Sequence, residues 1–232
     1  MISAYLKNKK QKLLTLSKPL TVSLAITVYV CTGTLVGLPP MHQMIEWIRS
    51  VKTGYVGKII PKGEYHHGQW MVNHYRKALE KAAQYQVAVN AHEPIKATGL
   101  RRTYPNEIAR EGLRGQEFNA WATDGGNPPE HLPIVAFTRM LSGPIDFTPG
   151  VFEMSLPSKP DNQINTTLAQ QLALYVVIYG PIQMACDLPE NYEDNPAFQF
   201  IRDVGVDWEQ TQVLNGEVGL SSSIGSKMSV LQ

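Results

Sequence analysis

The chain lacks most of the residue signals that make a function easy to read. It has 2 cysteines among 232 residues, Cys31 and Cys186, far apart and neither in a CxxC pair, so neither a disulfide framework nor a thiolate zinc site is expected. It also lacks an excess of charge: 21 Lys+Arg against 20 Asp+Glu leave a formal net charge of +1. Nucleic acid would find no basic footprint, and a neutral or small polar ligand suits the chain better. No internal repeat divides it. What is left is an ordinary hydrophobic content of 43%, sufficient for a proper core.

The charge that is present is unevenly placed. Lys7, Lys9, Lys10, Lys12 and Lys18 precede an uncharged stretch, "PLTVSLAITVYVCTGTLVGLPP", from Pro19 to Pro40. A basic region followed by an apolar one is the layout of an export signal or an anchor, so export, or a membrane contact through residues 19–40, is expected. The competing readings are a buried segment and an out-of-frame start.

Beyond Pro40, short strand-like and longer helix-like pieces alternate, which is the pattern of parallel α/β structure. "SVKTGYV" (Ser50 to Val56) reads as a strand and "GKIIPKGEYHHG" as a polar loop. In "QWMVNHYRKALEKAAQY", Trp70, Val72, Tyr75, Leu79, Ala82 and Ala83 recur at roughly helical spacing, and "QVAVNAHE" follows as a strand. The crossover rule places both strands parallel in one sheet. The pattern further predicts a helix after Pro105 capped by Asn106, and a strand from Leu132 to Thr138. It then predicts a buried helix capped by Asn165 or Thr166 and stopped by Gly180, a strand from Pro181 to Cys186, a last amphipathic helix in "AFQFIRDV" and a polar tail. The expected fold class is α/β, a partial (β/α)8 TIM barrel, because closure takes eight strands and about 250 residues. The expected domains are a basic and apolar segment over 1–40, a partial catalytic barrel over 41–217 and a tail over 218–232.

Polar residues collect after the predicted strands, where barrel enzymes carry their active sites. His92 and Glu93 end the second strand, and Glu111 and Glu117 follow in the next stretch. Three carboxylates in such a region can hold calcium or divide acid and base roles, although spacing alone leaves solvated surface glutamates as the competing reading. Lys96, Arg101 and Arg102 accompany them, with Tyr104 and Trp121 able to stack on a sugar ring. Glycoside hydrolysis would use this set: one carboxylic acid protonates the departing oxygen, and another carboxylate activates water or attacks the anomeric carbon. His66, His67 and His74 read as loop and helix-surface residues. Asp146 and Glu153 are expected to order a loop rather than carry chemistry, and Asp187, Glu190 and Asn191 to shape the rim.

The blocks "VKTGYV", "QWMVNHYRKALEKAAQY", "VNAHEPIKATGLRRTYPNEIAREGLRGQEFNAW", "FTRMLSGPIDFTPGVFEM" and "LALYVVIYGPIQMACDLPENY" closely resemble successive parts of glycoside hydrolase family 97, the bacterial α-glucosidase and α-galactosidase family. The resemblance runs from about Ser50 to Glu217. For the inverting α-glucosidase branch it implies that Glu93 is a calcium ligand and the base acting on water. It implies that Glu111 is a calcium ligand, Glu117 the general acid, and His92 and Lys52 contacts to an oligosaccharide or α-glucoside. The retaining α-galactosidase branch carries an aspartate nucleophile on the strand matching Ser50 to Val56, where this chain has none. Inversion is therefore expected, with carboxyl groups roughly 6.5–9.5 Å apart rather than about 5–5.5 Å.

The family also implies a β-sandwich and first barrel strands before this region and a smaller sandwich after it, which the sequence does not show. A fragment of this kind would have an incomplete Ca2+ site, impaired catalysis and a tendency to self-associate through open strand edges. The alternatives are a membrane-anchored glycan-binding remnant without turnover and a retaining α-galactosidase of the same family.

Overall fold

A computed structural model of the chain describes residues 28–31, 50–54, 62–206, 208, 210–213, 216–218 and 228–231. Strands β1 (Val28–Cys31), β2 (Ser50–Gly54), β3 (Ala88–Ala91) and β4 (Glu107–Arg110) lie side by side in that order, each parallel to its neighbour. Between β2 and β3 the chain passes through helix α1 (Gln69–Gln84), the long crossover that a parallel pair needs. An isolated parallel bridge from Arg110 to Ile145 continues the arrangement one position beyond β4.

Side-chain alternation along these strands separates an apolar face from a polar one. Met71, Tyr75 and Leu79 form a single stripe on α1 and are buried with Val89 and Ala91 of β3 and with Ile95. Asn90, between Val89 and Ala91, therefore stands on the opposite face, and the register sets Lys52 of β2 beside it. Lys52 is 1% exposed and Asn90 0%, so this second face is dry but polar. A register shift between Val89 and Asn90 pairs them with Glu107 and Ala109, passing over Ile108 and re-aiming the end of β4.

A second apolar cluster joins Val135 of α2 (His131–Phe137), Ile145, Phe147, Leu174 of α3 (Leu168–Val177) and Ile178. The loop from Phe147 into α3 contains Gly150 at φ 92, where a Cβ would collide with the Tyr175 hydroxyl; only glycine fits there. Helices α4 (Pro189–Tyr192) and α5 (Phe198–Asp203) follow, then an antiparallel pair, β5 (Gln210–Val213) with β6 (Met228–Leu231).

Several predicted elements change type. The residues after Pro105 form strand β4, not a helix: Asn106 does not cap but donates from Nδ2 to the carbonyls of Leu79 (3.1 Å) and Val87 (3.2 Å), drawing the chain alongside β3. The expected strand Leu132–Thr138 is helix α2, with Pro133 in the first turn, where its missing N–H leaves no helix bond unmade. Helix α3 is capped by Thr167 rather than Asn165 or Thr166. The Thr167 hydroxyl accepts from Gln170 N (3.2 Å) and the Gln170 side chain accepts from Thr167 N (2.8 Å), while Asn165 is engaged with the Asn127 carbonyl and Thr166 with Gln171. Pro181 to Cys186 forms no strand; the Met184 carbonyl is taken by the Tyr175 hydroxyl and Cys186 N donates to the Pro149 carbonyl. Part of the expected tail is β6.

Among the described residues no helix is long and apolar enough to cross a membrane. Within the stretch expected to export or anchor the chain, Val28–Cys31 is a strand paired in parallel with β2. The lysines before it and the rest of that stretch lie outside the described residues.

Candidate active site

The ends of adjacent parallel strands bring five ionisable side chains into one network. Lys52 comes from β2, His92 directly follows β3, Glu111 directly follows β4, and Asp146 follows the bridge at Ile145. Glu117 lies in the first turn of a short 3-10 helix, Gln116–Ala120. The Lys52 ammonium donates to Glu117 Oε1 at 2.7 Å and lies 3.5 Å from Asp146 Oδ2. His92 Nε2 donates to Asp146 Oδ2 at 2.6 Å, which turns Nδ1 toward Glu111 Oε1 (3.5 Å) and Glu117 Oε2 (3.7 Å).

These contacts set the protonation states. Burial would lower the His92 pKa, but hydrogen bonds to Asp146 and Glu111, with their charges, raise it to about 9. Burial would raise Glu111, yet His92, the Glu93 backbone N–H and Lys52 hold it below the usual carboxylate value. Asp146 follows the same pattern, with burial outweighed by His92, Lys52 and Asn90. His92 is thus an imidazolium and both acids are carboxylates near neutrality.

Backbone geometry around the site is constrained. Glu93 has φ 50, an uncommon value made rarer by the following Pro94, which pushes the preceding residue toward extended conformations. It is held there by the Tyr75 hydroxyl on its carbonyl (2.8 Å) and by its own N–H on Glu111 Oε2 (2.9 Å). Such strain costs on the order of 1–3 kcal/mol and persists where surrounding structure imposes it. Arg139 clamps the β4 end by donating to the carbonyls of Glu111 (2.9 Å) and Arg110 (3.0 Å), and burial with the Arg110 charge nearby pushes its pKa down to about 10.

The structure brings together Lys52, His92, Glu111 and Glu117, while the Glu93 side chain is exposed and outside the tight grouping. Asp146, expected only to order a loop, stands at the centre. The signal that could have marked it was its place directly after "GPI", Gly143 to Ile145, but nothing local announces its partners. Glu153 instead bonds Ser155, and Asp187 orders its loop by accepting from the backbone of Phe152, Glu153 and Leu188. Tyr104 is turned onto α1 by its bond to Glu80 (2.9 Å) and packs at the rim of the apolar cluster, whereas Trp121, ending the Glu117 helix, is 74% exposed. His67 accepts from Lys96 N, and His74 stacks on Trp70.

One group of residues suits a cation: ligand atoms of His92, Glu111 and Glu117 lie within 4.8 Å of one another. The two carboxylates are hard donors of the kind calcium takes, but calcium gathers about six to eight oxygens and does not favour imidazole. Glu111 and Glu117 therefore fit as part of a calcium site whose remaining oxygens come from outside this group.

Comparison with known proteins agrees with this arrangement. Residues 39–113 match the sequence profile described as Glycoside hydrolase 97. A glycoside hydrolase family 97 enzyme from a Pseudoalteromonas species, solved in complex with acarbose, is 54% identical over 77% of this chain and 30% of its own, with a TM-score of 0.67. The same figures hold for a variant of it, with glutamine in place of a glutamate, in complex with panose. A retaining α-galactosidase of Bacteroides thetaiotaomicron is 34% identical over 62% of this chain and 22% of its own length. The chain thus spans less than a third of the relatives it matches. Over the stretch these matches cover, the chain is similar to enzymes of glycoside hydrolase family 97.

Proposed function

We propose that the chain is part of a (β/α)8 glycosidase that hydrolyses α-glucosides with inversion. The carrying observation is the gathering of Lys52, His92, Glu111, Glu117 and Asp146 at the ends of neighbouring parallel strands. Glu117 is the acid: its carboxyl is partly exposed, so it can reach a departing glycosidic oxygen, and Lys52 orients it. Glu93 is the base on water. Glu111 is too near Glu117 for that role, since their ligand atoms fall within 4.8 Å and an inverting pair stands roughly 6.5–9.5 Å apart. His92 and Lys52 present positive N–H donors that grip sugar hydroxyls and keep them oriented through the reaction.

Calcium would be held by Glu111 and Glu93, with Glu117 close by, and when bound it supplies a fixed positive charge that orders the carboxylates. The α-glucoside preference is supported by the acarbose and panose complexes of the 54% identical relative. A retaining α-galactosidase is the second reading, favoured by the name of the Bacteroides relative. Against it, β2 reads "SVKTG" and offers no carboxylate nucleophile.

The test is turnover of an aryl α-glucoside by the 232-residue chain. Hydrolysis lost in Glu117→Gln and on chelation supports the proposal, and faster hydrolysis of the aryl α-galactoside supports the second reading. Sugar binding without turnover contradicts both and leaves a glycan-binding module.

A further inference from the structure

We propose that Asp146 is a positioning residue of this site: from behind the substrate-facing groups, its carboxylate fixes the direction of both the Lys52 ammonium and the His92 ring. The inference rests on the glycosidase reading and deepens it. Asp146 is buried and both of its carboxylate oxygens are taken by protein donors, so it acts through its neighbours. Its Oδ2 receives three donors that arrive from two adjacent strands: His92 Nε2 at 2.6 Å, Lys52 Nζ at 3.5 Å and Asn90 Nδ2. Its Oδ1 accepts from Thr148 N at 3.2 Å.

A group that merely balanced charge would need to be near two cations; this one is held in a set direction on both oxygens. Thr148 adopts φ 58, a strained value for a β-branched residue, in the turn that brings its N–H to Oδ1. Asn90 gives its amide N–H to Oδ2 while its own Oδ1 is buried without a hydrogen-bond partner among the described residues. Both features sacrifice local stability around one carboxylate. The consequence for the site is geometric. With Nε2 tied to Asp146, the imidazole has its Nδ1 edge turned toward Glu111 and Glu117, and Lys52 is pinned between Asp146 and Glu117. Without the carboxylate, the ring is free to flip, and two adjacent cations lose the anion between them.

The test uses the full chain and Asp146→Asn, which keeps the volume and removes the charge. For an aryl α-glucoside, KM is expected to rise about tenfold, the scale of one lost charge-assisted hydrogen bond. A purely structural role would lower the folded fraction, and with it the apparent kcat, while leaving KM unchanged; that result overturns the proposal. A second measurement, on the unsubstituted chain, needs no turnover. In 15N–1H spectra of the histidine rings, with His92 assigned by its loss in His92→Gln, Nε2 should carry a slowly exchanging, strongly downfield proton. A bare Nε2 overturns the proposal. An intact Nε2 proton in a chain that never turns over would instead retire the glycosidase reading and leave the Asp146 contact standing.

Discussion

The two faces of the parallel sheet bury side chains to a similar depth by opposite means. On one, Met71, Tyr75 and Leu79 of α1 meet Val89 and Ala91, and any apolar set of similar volume would serve. On the other, Lys52, Asn90, His92 and Asp146 are buried because each is the partner of another. The first face gains stability from apolar area and tolerates substitution by degrees. The second gains little net stability, since desolvating charges costs about as much as pairing returns, but it holds a few atoms in fixed positions. The difference is that between a core and a site.

Breaking one partnership on the polar face should have the largest effect. Lys52→Met removes one cation beside Asp146 and the ammonium donor on Glu117 Oε1, and should cost about 3–5 kcal/mol in urea unfolding near pH 7. A cost under about 1 kcal/mol would show that the polar face is not a coupled unit.

On the apolar face, Leu79→Ala removes a side chain only 2% exposed and should cost about 2–5 kcal/mol, with the same penalty at every pH at which the chain is folded. A penalty that varies with pH would mean that the two faces are not separable.

The faces should also part company under titration. Folding raises the His92 pKa from 6.5 to about 9, so its stabilisation is complete below about 6.5, declines as pH rises and is gone above about 9. The loss should be on the order of 3 kcal/mol across that window, and absent in His92→Gln. Asp146 and Glu111 are shifted downward, so their contribution is present above the ordinary carboxylate range and lost as pH falls through their depressed values. The two limbs describe the same pairs from either partner and are not added. Unfolding midpoints that stay flat between pH 6.5 and 9 would contradict the network.

The smallest effect belongs to neither face. Thr167→Ala removes the hydroxyl half of the capping box on α3 and should cost about 1 kcal/mol, with no change in sugar binding.

The same contrast explains what the sequence could disclose. The α1 stripe and the strand after it were legible, because their signal is a local period and the partner face is one turn or one strand away. Asn106 has a residue type that favours a helix cap, whereas its amide bonds one carbonyl within α1, at Leu79, and one just before β3, at Val87. The segment Leu132–Thr138 misled because a short apolar run does not distinguish strand from helix without its neighbours. At the site, Lys52, His92, Glu111 and Glu117 stand out through family resemblance, and the spacing of the acids alone does not single them out. Asp146 does not stand out in the sequence, because the partners that give it meaning lie 54 and 56 positions away.

The central claim is best tested by proton NMR of the sugar first released when the 232-residue chain acts on an aryl α-glucoside. The account predicts that the β-anomer appears first and then mutarotates, as water delivered by Glu93 opposite a Glu117-protonated leaving group requires. Initial release of the α-anomer would contradict it, because retention demands a nucleophile that β2 does not supply.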